Sequence, residues 1–307
     1  MFSFVVAVLA SSFAAVEARS NPNIPRPDPF ADPKHDVYNP LRYIASNTLT
    51  AIAFSLILSV ALLQTLCIVK WGAKYMLSMT IGAYAFAFGL GTRFALHEHP
   101  QSKGWYIVQY LFVVLSPCAF IAATYVLLGR LARYLNCDRH LLVSPRRITL
   151  IFVASDIITF LIQAAGGSIT TSNDFNLVKI GSRIFLAGLA LQLASFAVFS
   201  VIYLVFLYRV RFHDRAVWEI DASKKWYQDW RALAGMLVVS CIGILVRSVF
   251  RTIELSEGFG GHLSTTEAFF YTLDTLPLFI AIVVYVPFWP GRFIRADVDV
   301  KEKDEET

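Results

Sequence analysis

Charge is what this sequence has least of. Only 16% of its 307 residues are charged and its mean hydropathy is +0.57, where an ordinary soluble domain carries about 25% charged residues. With 56% hydrophobic residues it has too little solvated surface for a soluble globule and too much apolar surface for a disordered chain. Cysteine is scarce as well: Cys67, Cys118, Cys137 and Cys241 share no CxxC spacing, which excludes a zinc knot and a disulfide scaffold. Three of them fall in apolar runs, where a thiol packs as a small hydrophobe. Histidine is missing from those runs. All six, at 35, 97, 99, 140, 213 and 262, lie outside them, so no Ser–His or zinc constellation forms within a membrane core. His97-Glu98-His99 with His262 has metal-ligand types but no ligand spacing, and such loop histidines are read as solvated. A Gly-x-x-x-x-Gly-Lys phosphate loop is also absent, which argues against direct ATP hydrolysis. An enzyme is not expected, nor a cofactor or a metal. The net charge of +5 is read as basic cytoplasmic loops facing anionic lipid, with no nucleic-acid partner.

What the chain has in abundance is long apolar runs. Seven stretches, 43–69, 75–92, 104–129, 148–173, 184–208, 232–253 and 268–290, reach or approach the roughly 20 residues that cross a ~30 Å hydrocarbon core. Backbone groups in lipid find no water, so these stretches must be helices, and the fold expected is all-α, a polytopic membrane protein of seven transmembrane helices. Lys and Arg are split unevenly between the two sides. The first, third and fifth loops and the tail carry 17, the other side carries 8, and Arg247 and Arg251 lie within the sixth stretch. The excess of positive charge places the N-terminus outside and the C-terminus in the cytosol. Residues 1–18 read as a signal peptide, with a signal anchor as the alternative. Residues 19–42, rich in Pro and Asp, read as an external arm, 43–291 as the membrane domain, and 292–307 as an acidic cytosolic tail. The 209–231 loop mixes six basic residues with Trp218, Trp226, Tyr227 and Trp230. It reads either as a short helix on the anionic inner leaflet or as an ordinary solvated loop.

Ionisable groups at membrane depth cost a few kcal/mol each and call for a reason. At about 1.5 Å per residue, Asp156 lies roughly 12 Å from the cytosolic boundary, with Thr159 and Gln163 following on one face of the helix. Arg247 is about 22 Å from that boundary, and Asp274, on the returning helix, is about 9 Å below the outer one, so the two meet in depth. Gln192 is near the same level. The expected pathway is therefore an outer polar layer of Gln163, Gln192, Arg247 and Asp274 with Asp156 alone on the inner side. The competing readings are a register-fixing ion pair for Arg247–Asp274, interhelical hydrogen bonding for the two glutamines, and a snorkelling pair or gate for Arg251–Glu254. Pro117 and Pro277 free backbone carbonyls and permit kinks.

Four motifs then carry a resemblance. LSPCAFIAATYVLLGR from Leu115, FVASDIITFLIQAAGG from Phe152, GLALQLASF from Gly188 and RSVFRTIELSEGFGGHLSTTEAFFYTLDTLP from Arg247 resemble, in order and spacing, the fungal lipid-translocating exporter family, the RTA-like proteins. The family is similar in having seven spans and an external N-terminus. It includes a sphingoid long-chain base transporter and members linked to resistance to toxic compounds. The resemblance implies export of sphingoid bases or similar cationic amphipaths, with Asp156, Gln163, Gln192, Arg247, Arg251, Glu254, Asp274 and Pro277 on motif positions. Phe86 departs from the pattern: Gly89 and Arg93 match, but an acid is expected one turn before the glycine, which points to a different substrate. A plasma-membrane location is expected, with a vacuolar or endomembrane one as the alternative; the oligomeric state is left open. The rival function is a seven-span receptor or sensor regulating other transporters. It lacks an acidic-Arg switch after the third span, an Asn-Pro-x-x-Tyr in the seventh, and a lysine there for retinal.

Overall fold

The structure, a computed structural model, describes residues 28–36, 38–135, 137, 144–170, 174–219, 229–258 and 261–294. Residues 1–27, which hold the signal-peptide reading and the start of the arm, and 295–307 of the tail, along with Trp226 and Tyr227, lie outside the described residues. Every regular element among the described residues is helical. The long helices are α1 (Asn47–Trp71), α2 (Leu77–Glu98), α3 (Lys103–Tyr134), α4 (Pro145–Thr170), α5 (Phe175–His213) and α6 (Trp230–Glu257). The last apolar stretch is built in pieces: a turn at Glu267–Phe269, a π-helical segment at Phe270–Thr275, then α7 (Leu276–Val283).

Among the described residues, five helices are long and apolar enough to cross a membrane: Asn47–Trp71, Lys103–Tyr134, Arg147–Thr170, Asn176–His213 and Trp230–Glu257. The other two predicted stretches are helical but weaker on that scale. Gly, Ser, Thr and Tyr dilute α2, which also carries the buried Arg93. The last stretch is interrupted by its π turn. At 39 residues α5 is about 58 Å long, nearly twice the hydrocarbon thickness, and its last turn is basic, with Arg211 and His213.

Helix starts follow from local chemistry. Ser46 and Ser102 accept the first-turn N–H groups of Leu49 and Trp105, and Asp174 and Asp229 do the same for Asn176 and Arg231. Neighbours in sequence pack as neighbours in space: α1 on α2, α2 on α3, α4 on α5, and α6 on α7, with α7 returning to α1. Small residues permit the closest approaches. A Cβ built on Gly166 of α4 would sit 2.5 Å from the Phe185 nitrogen and 2.8 Å from the Gly181 carbonyl of α5, so only glycine fits there.

The surface is apolar, and within a largely hydrophobic interior lies a minority of buried polar and charged side chains. Val69 is 81% exposed, Leu150 70% and Leu66 63%, while Asp156, Gln163, Gln192, Arg247, Arg251 and Asp274 are all buried. A perimeter of this kind is at rest only in lipid.

Candidate functional site

The buried polar residues form a column through the bundle. It starts beneath the arm that precedes α1. There Arg93, with a side chain that is 0% exposed, donates to Glu267 Oε1 at 2.8 Å and to the Tyr43 hydroxyl at 3.2 Å. Glu267 Oε1 also accepts the Ser46 N–H at 2.9 Å, so one carboxylate ties α2 to the arm and to the start of the last stretch. Phe270 lies 4.4 Å from the guanidinium carbon, a cation–π contact that helps a buried cation do without water. A small cleft of about 40 Å³ opens beside these groups, between Pro40, Leu41, Tyr106, Gln109, Arg251 and Glu254.

One layer further in, Asp274 is clasped by two arginines of α6. Arg251 donates from Nε at 2.9 Å and from Nη2 at 2.6 Å, the bidentate geometry that suits a planar guanidinium. Arg247 Nε is 2.9 Å from Oδ1, within ion-pair range but not aligned as a hydrogen bond. Arg251 Nη1 also reaches Glu254 at 3.0 Å. Arg247 Nη2 donates instead to the Val113 carbonyl at 2.8 Å. The reason lies four residues on: Pro117 has no N–H with which to bond Val113, and the arginine fills the vacancy. The π turn bulges the backbone at Phe270–Thr275, just ahead of Pro277. Arg93, Arg247 and Arg251 are offset by Glu254, Glu267 and Asp274, so the two layers are neutral as a set.

Deeper still, Gln163 donates to Gln192 at 2.8 Å, and Gln192 in turn to the Cys118 thiol at 3.2 Å, linking α4, α5 and α3. Beyond that chain is Asp156. Neither of its carboxylate oxygens has a hydrogen-bond partner, and no described cation pairs with it. The Tyr125 hydroxyl interacts with the carboxylate but makes no hydrogen bond to it. Thr159 turns away, donating to the backbone carbonyl of Asp156 at 3.0 Å. Below, Phe199 packs edge to face on Tyr125 and on Phe152, with Tyr125 and Phe152 tilted against each other and all centroids 4.4–5.6 Å apart, on the side towards the basic end of the bundle.

The structure thus brings Arg247, Arg251, Glu254 and Asp274 into one network, pairs Gln163 with Gln192, and leaves Asp156 apart. Arg251 pairs with Glu254 as expected, and it is also buried, with Asp274 as its bidentate partner. Asp274 in turn has both oxygens engaged. The Arg93–Glu267 latch and the Tyr125 and Cys118 neighbours of the column lie beyond what hydropathy reveals. Arg93 reads as the end of an apolar run and Glu267 as the start of one, and only the fold joins them. His97 is used structurally, its Nδ1 2.7 Å from the Ala45 carbonyl, and His262 packs on Phe269. No group of three or more His, Cys, Asp or Glu with metal-holding geometry occurs among the described residues. At the basic end Trp218 sits between Arg211 and Arg231, 5.7 and 5.9 Å from their guanidinium carbons.

An apolar perimeter, several long apolar helices and a neutralised polar column define an integral, multi-pass helical membrane protein. Residues 79–297 match the family described as RTA1 like protein, and the chain belongs to that family. It is 34% identical to Protein RTM1 of Saccharomyces cerevisiae over 59% of this chain and 56% of that protein. It is 30% identical to Protoporphyrin uptake protein 1 of the same species over 66% and 65%, and 27% identical to Sphingoid long-chain base transporter RSB1 over 64% and 58%. The matches thus span a little over half to about two thirds of these relatives. No solved structure matches.

Proposed function

We propose that this protein is a translocator of cationic amphipaths, with sphingoid long-chain bases as the type substrate. The reading takes residues 43–291 as seven spans, with the N-terminus outside and the C-terminus in the cytosol. The observation that carries it is Asp156. A buried carboxylate with no cation partner among the described residues is the group a mobile ammonium would pair with, and leaving it unpaired in an apolar core is costly unless it serves a ligand. Asp274 is the poorer candidate, since its charge is already answered twice. In this reading a base enters from the inner leaflet to Asp156, passes the Gln163–Gln192 level, and leaves beneath the arm where Glu254 lines the cleft. The arginine–carboxylate layers form the outer gate, hinged at the π turn and at Pro277.

The names of two relatives, a sphingoid base transporter and a porphyrin uptake protein, support passage of an amphipath, and membrane-lipid homeostasis or resistance to toxic amphipaths would follow. The basic side, with Trp218 between two arginines, suits contact with an anionic inner leaflet. The protein acts as a carrier rather than an enzyme, in the plasma membrane. The test is export from cells lacking their own RTA-like proteins and loaded with a labelled long-chain base. Wild-type chain should speed its appearance outside, and Asp156→Asn at equal surface abundance should reduce that rate at least about tenfold. Equal export by the two overturns the reading. Acceleration of a porphyrin but not of the base would replace the substrate class.

A further inference from the structure

Asp156 raises a question that translocation alone does not answer: what neutralises it when no substrate is present. Its two oxygens are buried without a hydrogen bond, and the cations nearest along the column are already committed. Arg247 holds Asp274 and the Val113 carbonyl, and Arg251 holds Asp274 and Glu254. The elements packed against α4 are α3 and α5. From α3 the groups facing the carboxylate are the Tyr125 hydroxyl and the Cys118 thiol; α5 contributes the neutral amide of Gln192, and its 184–208 stretch carries no charge. From α6, Cys241 lies within electrostatic reach of Tyr125, and Arg247 within reach of Cys118. The aromatic cluster lies on one side and the Gln163–Gln192–Cys118 chain on the other. An ionised carboxylate in so buried a place, with no cation among the described residues to answer its charge, would cost more than any nearby contact returns.

We infer that Asp156 is an exchange site, occupied by a proton in the empty protein and by an organic cation in the loaded one. The inference rests on the translocator reading and adds the coupling to it. Charge balances in each state. When an ammonium arrives, the O–H bond of the Asp156 carboxyl breaks and its proton leaves to water. The carboxylate then pairs with the incoming cation, and the pocket stays neutral throughout. Two consequences follow. A bare charge never has to cross the apolar core, and a transmembrane pH difference can drive cation movement, because cation and proton compete for one group.

The experiment uses the full chain, purified in weakly buffered micelles, with an N-trimethylated sphingoid base as the probe. Its charge is permanent, so any proton released comes from the protein. Expected are about one proton released per cation bound, and an affinity that rises about tenfold per pH unit and then levels off once the empty site ionises. Asp156→Asn should keep its helical content, release no proton, and bind the cation at least about tenfold more weakly without pH dependence. Asp156→Glu should restore proton release. An uncharged N-acyl analogue should bind, if at all, with none. Should the asparagine variant fail to fold, infrared difference spectra of the wild type decide: binding must abolish the carbonyl band of one protonated carboxylic acid. Cation binding that is flat with pH, without proton release and with that band unchanged, overturns the exchange while leaving translocation standing. Wild-type protein that binds no cationic amphipath overturns both.

Discussion

Arg247 does two jobs with one side chain, and each can be separated by mutation. Its Nε answers Asp274 while its Nη2 satisfies the carbonyl that Pro117 leaves open. Replacing it with Met leaves a buried carbonyl unbonded and removes half the counter-charge, and should cost about 3–5 kcal/mol of stability. Pro117→Ala returns an N–H to Val113, so the pair of substitutions together should cost about 0.5–1.5 kcal/mol less than the sum of the two alone. Thermal unfolding of the four proteins of this cycle in one detergent measures the coupling; strict additivity would mean the arginine is not compensating the proline. Asp274→Ala should be at least as damaging as Arg247→Met, since it strands two guanidiniums. At this scale the sequence was informative about depth and silent about partners. Helical rise set Arg247 level with Asp274, but rise alone does not say which of two arginines on one face a carboxylate will hold. Arg251 lies one turn further along and still reaches Asp274 with two nitrogens, because the π turn alters the register of the helix that carries the acid.

At the scale of elements the bundle depends on a few close crossings. Gly166→Val in α4 meets the backbone of α5 at Gly181 and Phe185 and should lower stability by about 1–3 kcal/mol through overpacking, with the α4–α5 hairpin loosened first. Gly235→Ala in α6, where a Cβ finds nothing within 4 Å, is the matched control and should be neutral or stabilise by up to about 1 kcal/mol. Melting curves of the two variants side by side check the contrast, and equal losses would contradict the packing account. The apolar runs that make α1, α3, α4, α5 and α6 were legible because a span is mostly a matter of length and hydropathy. The last element was not. Hydropathy reports how apolar a stretch is and nothing about its hydrogen-bond register, so a π turn with Asp274 inside it looks like an ordinary helix with one charge.

Across the whole molecule the two ends differ in chemistry. The arm, the Arg93–Glu267 latch and the cleft share one end, and Arg209, Arg211 and Trp218 occupy the other. Asp32→Cys, in the exposed part of the arm, should react with a membrane-impermeant maleimide on intact cells, whereas Ser144→Cys, before α4, should react only after permeabilisation. The opposite pattern would invert the topology and the direction of transport with it. The link from arm to latch was beyond the sequence, since Arg93 and Glu267 are far in the chain from Tyr43 and Ser46 and from each other, and the three segments meet only when the last stretch returns to α1. The most direct measurement is the movement of a fluorescent long-chain base between leaflets of liposomes holding the purified protein, with and without Asp156→Asn. The account predicts rapid movement for the wild type and a rate near that of protein-free liposomes for the variant. Equal movement in both, with both proteins folded, would contradict it.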